Sequence, residues 1–165
     1  MSGLGHLAPG LLAKSVEPRA PLWVYLAAGE TNDLLYFAFT ATGLEKPATT
    51  TMSFAEGVKY LSQGSIPYSH GLFMSVVWSA AIASIAYMAW KDRKVSALLG
   101  AVVFSHWAMD FLMHDNLPLF FNGSPSVGLG LENSGPGFLV ITLIDLVFLA
   151  VGVWAYVQAK RRKSR

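Results

Sequence analysis

The sequence predicts an all-α integral membrane bundle of four transmembrane helices, with a short N-terminal helix and a short amphipathic helix in the first outer loop. Three observations carry that expectation. Of 165 residues, 53% are hydrophobic and only 13% charged, about half the ~25% charge usual in a soluble domain. Four apolar stretches approach or exceed the ~20 residues a helix needs to cross a bilayer. Lys and Arg alternate between the connecting segments as four crossings require. The length suits one domain over residues 1–165, since domains usually run ~100–200 residues. The composition argues against a soluble enzyme, a disordered chain and a nucleic-acid binder. The absence of cysteine excludes disulfides and thiolate chemistry.

The predicted spans are about residues 22–42, 68–90, 95–114 and 137–158. None alternates with period two, and each is too long for a soluble-core strand. No basic region followed by a short apolar run and a small-residue cleavage site opens the chain, so no cleaved signal peptide is expected. The N-terminal segment (Lys14, Arg19), the link Lys91–Lys94 and the tail from Lys160 carry ten Lys and Arg, against Lys46 and Lys59 in the other two loops. Both termini are therefore expected in the cytoplasm, in a cytoplasmic (inner) membrane, with loops 43–67 and 115–136 outside. The short link makes the second and third helices antiparallel neighbours. In the first outer loop, Ser53-Phe54-Ala55-Glu56 fits a capping box. Phe54, Val58 and Leu61 follow at helical spacing, which predicts an amphipathic surface helix. The second outer loop, apolar at Leu117, Leu119, Phe120 and Phe121, is expected to dip into the interface and cover a site.

Ionisable residues inside the spans carry the functional signal. Each buried Asp or Lys costs ~2.5–3.5 kcal/mol on insertion scales, so such residues persist where a metal, an ion pair or a wet cavity compensates. Glu30, Asp33, Asp110 and Asp145 lie inside predicted spans, as does His106, while His70 and His114 sit at outer helix ends. At ~1.5 Å per residue, Glu30 and Asp33 lie ~12 and ~17 Å above the cytoplasmic edge, and His106 and Asp110 ~17 and ~23 Å. His106, Asp110 and His114 follow at four-residue intervals, on one helix face. Imidazole and carboxylate together suit zinc, iron or manganese. His6 belongs to an apolar segment too short to span; a helix there would bring it toward Glu30 and Asp33. Asp145 stands alone on the fourth span, and a structural hydrogen bond is its expected role.

Pro67-Tyr68-Ser69-His70-Gly71 resembles the Thr/Ser-His-Ser/Gly signature of the bacterial membrane-bound metal-dependent hydrolase family. Ser105-His106-Trp107-Ala108-Met109-Asp110, followed by His114 and Asp115-Asn116-Leu117-Pro118-Leu119, resembles that family's His-x3-Asp element. Gly5-His6 and Asp33 fit its N-terminal positions, so the resemblance runs from Gly5 to about Asn133. It implies a small membrane protein with a His/Asp site for a divalent metal, zinc above all, loosely similar in ligand type to zinc-dependent phospholipase C. His6, Asp33, His70, His106 and Asp110 carry over as candidate metal ligands.

The resulting expectation is a hydrolase acting on a lipid-borne ester or phosphoester through a metal-bound water, whose pKa the metal lowers toward ~7. Asp33 serves as ligand or general base, and His114 protonates the leaving group. The expected partners are membrane lipid and a lipid-like or small-molecule substrate, with a partner membrane protein or a homo-oligomer as a further option and no nucleic acid. Two alternatives stay open. One is a haem or redox protein with His70 and His114 as axial ligands. The other is a non-catalytic accessory subunit or ion-translocating protein whose buried acids form a proton or cation path.

Overall fold

The computed structural model describes residues 4–62 and 64–163. Gly3, at the head of the apolar N-terminal segment, and Arg165 of the basic tail lie outside the described residues. The chain is mostly helical: α1 (Leu7–Val16), α2 (Leu22–Gly29), α3 (Thr31–Ala41), α4 (Leu72–Trp90), α5 (Arg93–Met113) and α6 (Gly135–Lys163). Two small antiparallel sheets, β1 (Thr49–Ser53) with β2 (Gly57–Ser62) and β3 (Leu117–Pro118) with β4 (Ser126–Val127), and a 3-10 turn at Leu131–Asn133 complete it. Three helices, α4, α5 and α6, are long and apolar enough to cross a membrane.

The first predicted span differs. It is two helices, of 8 and 11 residues, parted at Glu30. Neither reaches the ~20 residues of a crossing by itself. The depths counted from Leu22 assume one unbroken helix and do not carry past Glu30. The expected N-terminal helix is present as α1 and buries Ala8, Gly10, Leu11 and Ala13.

The chain divides into two compact units. One comprises Asn32–Ser75 and Trp107–Ile144; the other comprises the described residues up to Thr31, Val76–His106 and the residues from Asp145 on. The second unit is held by a core of small and branched side chains: Ala13, Ala20, Tyr25, Ala28, Ala86, Val95, Leu99, Val102 and Val103. Small residues let helix backbones approach closely where lipid offers no hydrophobic drive between helices. At Gly100 a Cβ would stand 3.1 Å from both the Ala83 side chain and the Ser79 carbonyl oxygen, so the link at Lys91–Asp92 folds α4 and α5 into a tight pair. Asp92 caps α5, its Oδ1 accepting the N–H groups of Lys94 and Val95 at 2.9 Å, as an N-cap aspartate does.

In the first unit, residues 53–62, expected to form an amphipathic helix, form the β1–β2 hairpin. Thr51 pairs with Lys59 and Met52 with Val58. The segment is rich in β-branched and aromatic residues (Thr49, Thr50, Thr51, Val58, Tyr60), which favour a pleated surface. Ser53 does accept the Glu56 N–H at 3.1 Å. That bond, shared by a capping box and a serine turn, closes the hairpin, and Gly57 leaves the turn at φ +79°. The tip packs on the start of α6, with the Phe54 and Phe138 rings 5.5 Å apart. The loop after α5 is stitched to the end of that helix: Leu129 N–H donates to the Phe111 carbonyl at 2.8 Å and Gly130 N–H to that of His114 at 3.1 Å.

Candidate metal centre

In the first unit Asp33 stands in the first turn of α3, His70 lies just before α4, Asp110 sits in the last turn of α5, and His114 follows that helix directly. Asp110 is fully buried and His70 is 5% exposed. The Nε2 atom of His70 lies 3.3 Å from Asp33 Oδ1 and 3.5 Å from Asp110 Oδ2. The Nε2 atom of His114 lies 3.7 Å from Asp110 Oδ1. His70 and Asp110 belong to the buried His and Asp groups whose ligand atoms stand close enough to hold a metal ion.

The protonation of each ring follows from its other nitrogen. Glu45, buried in a loop, accepts the N–H of Tyr68 at 2.7 Å, the N–H of Ser69 at 2.9 Å and the hydroxyl of Ser69 at 2.6 Å. With its proton given to Glu45, the Ser69 oxygen is an acceptor for His70 Nδ1, 2.8 Å away. His70 therefore carries a proton on Nδ1, and its Nε2 atom faces the two carboxylates. His114 Nδ1 is bonded to Glu132, whose same oxygen accepts the Tyr60 hydroxyl at 2.5 Å. Burial first, then the Glu132 carboxylate, push the Tyr60 hydroxyl up from its ordinary pKa, so it remains a donor. A ring nitrogen committed to a carboxylate or its relay is the arrangement that orients metal-binding histidines.

His70, Asp33 and Asp110 thus bring one imidazole and two carboxylates together. Charge-assisted hydrogen bonds run ~2.7–2.9 Å, shorter than the 3.3 and 3.5 Å seen. Two ligand atoms each ~2.0–2.1 Å from a tetrahedral zinc stand ~3.3 Å apart. The spacing is one that a shared cation could span.

A cavity of about 320 Å3 opens onto this centre. Its polar wall includes Asp33, Tyr60, His70, His114 and Glu132, and its apolar wall Ala48, Met52, Val58 and Ile66. Tyr36, one turn after Asp33 on α3, stands edge-on to the His70 ring with centroids 5.7 Å apart. Behind the centre, Asn32 is fully buried and donates to the Ser75 hydroxyl at 3.0 Å.

The other candidates belong to the second unit. His6 and His106 are both buried there, their rings 3.8 Å apart and tilted by 40°. The break after Gly29 leaves its carbonyl to accept His106 Nδ1–H at 2.7 Å. One ligand nitrogen of each ring lies within 4.8 Å of one on the other. Asp145 is buried in the same unit, and Glu30 caps α2. Sequence reasoning singled out every one of these histidines but missed Glu45, Tyr60 and Glu132. Polar residues in loops carry no cost that marks them, and only Ser69, inside the quoted motif beside His70, offered a signal.

A haem between His70 and His114 would have to displace the Asp110 carboxylate that both Nε2 atoms address. Compared with family models, with curated proteins and with solved structures, the chain matches none, and the hydrolase resemblance rests on its short motifs alone.

Proposed function

We propose that the chain is a membrane-embedded metal-dependent hydrolase acting on a lipid-borne ester or phosphoester. The observation that carries the reading is the His70 Nε2 atom held 3.3 and 3.5 Å from two carboxylate oxygens. His70, Asp33 and Asp110 hold the cation, for which zinc is the favoured identity because imidazole and carboxylate are its usual donors. When bound, such a cation supplies Lewis acidity and a water of lowered pKa. The chain's own residues do the rest. Glu45 and Ser69 fix the His70 tautomer, the Tyr36 ring shields the His70 edge, and Asp33, only partly buried, reaches the cavity as the group best placed to take a proton. The polar and apolar walls of one cavity match an amphiphile, with its headgroup at the centre and its chain along Met52, Val58 and Ile66. The Lys and Arg bias supports a reaction on the outer side of a cytoplasmic membrane, with the substrate entering from lipid.

Metal content and hydrolysis, measured together on detergent-purified protein, test the reading. Wild type should retain stoichiometric metal and cleave a fluorogenic phosphoester or ester lipid in mixed micelles, and a chelator should abolish the cleavage. His70→Ala should lose metal and lower turnover by at least ~10²-fold. Metal-free wild type, or activity untouched by chelation, overturns the proposal.

A further inference from the structure

We propose that one end of the second unit binds the phosphate of an anionic phospholipid, on a rim of Lys and Arg that three separate segments bring together. The first two segments are tied directly. At the end of α1 the Val16 carbonyl accepts from Lys94 Nζ at 3.3 Å, and Arg19 reaches Asp92 in the link between α4 and α5. The third segment arrives through α6. Asp145 lies against Gly5, where a Cβ would stand 2.6 Å from its Oδ1. Further along, a Cβ at Gly152 would stand 3.1 Å from the Ala8 carbonyl oxygen and 3.3 Å from the Leu11 Cβ. Contacts that advance together along both segments mean that α1 and α6 run in the same direction. From there, Ala8–Val16 and Gly152–Lys160 are stretches of equal length, ~12 Å at ~1.5 Å per residue. Lys160, Arg161 and Arg162 therefore come level with the end of α1 and with the link.

Charge and exposure single out this rim. Residues 14–19, 91–94 and 160–162 include eight Lys and Arg against two acids, Glu17 and Asp92. Both acids are engaged within the rim: Glu17 by Arg19 and Lys94, and Asp92 by Arg19 and the first turn of α5. Lys91, Arg93, Lys160 and Arg162 are exposed and carry the surplus. The surface beside them is apolar. Val16 ends α1, Trp23 opens α2, Met88 lies in the last turn of α4, and Trp154 stands less than two turns before Lys160; all four are exposed. Tryptophan favours the headgroup level of a bilayer. A soluble polyanion would use the cations alone. A phospholipid uses both features, its phosphate on the Lys and Arg and its chains along exposed α4 and α6. Each Lys or Arg close to an anionic membrane surface favours it by roughly fivefold, so several together separate anionic from zwitterionic lipid. Lys46 and Lys59 belong to the first unit, and Lys59 is paired with Glu56 at 3.0 Å.

The test incubates the immobilised full chain in detergent with equal amounts of phosphatidylglycerol and phosphatidylcholine of matched acyl chains, washes it, and counts the retained lipids by mass spectrometry. Wild type should retain the anionic lipid at least ~10-fold over the zwitterionic one. The ratio should fall in ~1 M sodium chloride, where the screening length shrinks to ~3 Å. The fourfold variant Lys91→Gln, Arg93→Gln, Lys160→Gln and Arg162→Gln spares the Glu17 contacts. It should fall to within ~2-fold of parity, with a circular dichroism spectrum matching wild type. The two halves of that variant, Lys91→Gln with Arg93→Gln and Lys160→Gln with Arg162→Gln, should each give an intermediate ratio, and they carry the test if the fourfold variant does not fold. Lys46→Gln with Lys59→Gln should keep the full preference. A wash with inorganic phosphate should displace no more lipid than chloride of matched ionic strength. Equal retention of both lipids by wild type, a preference surviving in the fourfold variant or in both halves, or one lost equally in the Lys46 and Lys59 variant overturns the inference. So does a preference that phosphate erases and chloride does not, which would assign the rim to a soluble phosphate compound.

Discussion

Glu17 shows how one residue ties a buried charge to its surroundings. It is 3% exposed at the end of α1, yet the Arg19 guanidinium grips both its oxygens, at 2.8 and 2.9 Å. Lys94 Nζ stands 3.4 Å away, and Arg19 reaches on to Asp92, the cap of α5. The Arg19 hydrogen bond, against the opposing effect of burial, holds the Glu17 carboxyl down at about 2, below the ~4.3 of a free glutamate. A depressed carboxyl stabilises the fold above its unfolded pKa, and that contribution is lost as pH falls through the folded value. Between pH ~4.3 and ~2 the wild-type melting temperature should therefore fall more steeply than that of Glu17→Gln, with the two curves parallel above pH ~5. Thermal unfolding in detergent, followed by circular dichroism across that range, checks it. Parallel curves down to pH 2 would show that the Arg19 contact contributes nothing to folding.

Among the elements, the β1–β2 hairpin decides where Tyr60 meets Glu132. Gly57 adopts φ +79°, and a Cβ there would lie 2.2 Å from the Glu132 carbonyl and 2.6 Å from the Ser134 nitrogen. Gly57→Ala should destabilise by at least ~1–2 kcal/mol from handedness alone, and by more once the hairpin is pushed off the 3-10 turn. A control at exposed Thr51, Thr51→Val, should stay within ~0.5 kcal/mol. Melting of the two variants against wild type decides it. The hairpin also marks what the sequence could not disclose. Phe54, Val58 and Leu61 fit a helix period, a ten-residue stretch is too short to separate periods, and the Ser53–Glu56 bond serves either structure. The long helices were legible because an unbroken apolar run needs no tertiary information. The break at Glu30 was hidden because apolar residues flank it on both sides, although Glu30-Thr31-Asn32-Asp33 is polar throughout. That break frees the Gly29 carbonyl for His106. Asn32, just after it, reaches the Ser75 hydroxyl.

At the scale of the molecule, the candidate ligands were legible because ionisable groups in apolar spans stand out by their cost. The carboxylates that hold them were not, because Glu45 and Glu132 lie in loops where acids are ordinary. Crossing number is the remaining whole-chain property, and charge and length bear on it differently. The bias of ten Lys and Arg against two predicts four crossings and both termini inside, whereas among the described residues three helices are long enough to cross. The α2–α3 pair spans 8 and 11 residues with one residue between. Only a collinear pair would reach ~30 Å at ~1.5 Å per residue, the thickness of the hydrocarbon core. If it crosses, Val16 and Lys160 lie on the same side; if it does not, they lie on opposite sides. The chain has no cysteine, so single substitutions at exposed positions report each location. An impermeant maleimide on intact cells should label Glu56→Cys in the hairpin turn. Val16→Cys and Lys160→Cys should react only after permeabilisation. Labelling of Val16→Cys from outside, with Lys160→Cys still protected, would mean that the broken pair returns to the surface it left and that the charge bias misplaces the N-terminus.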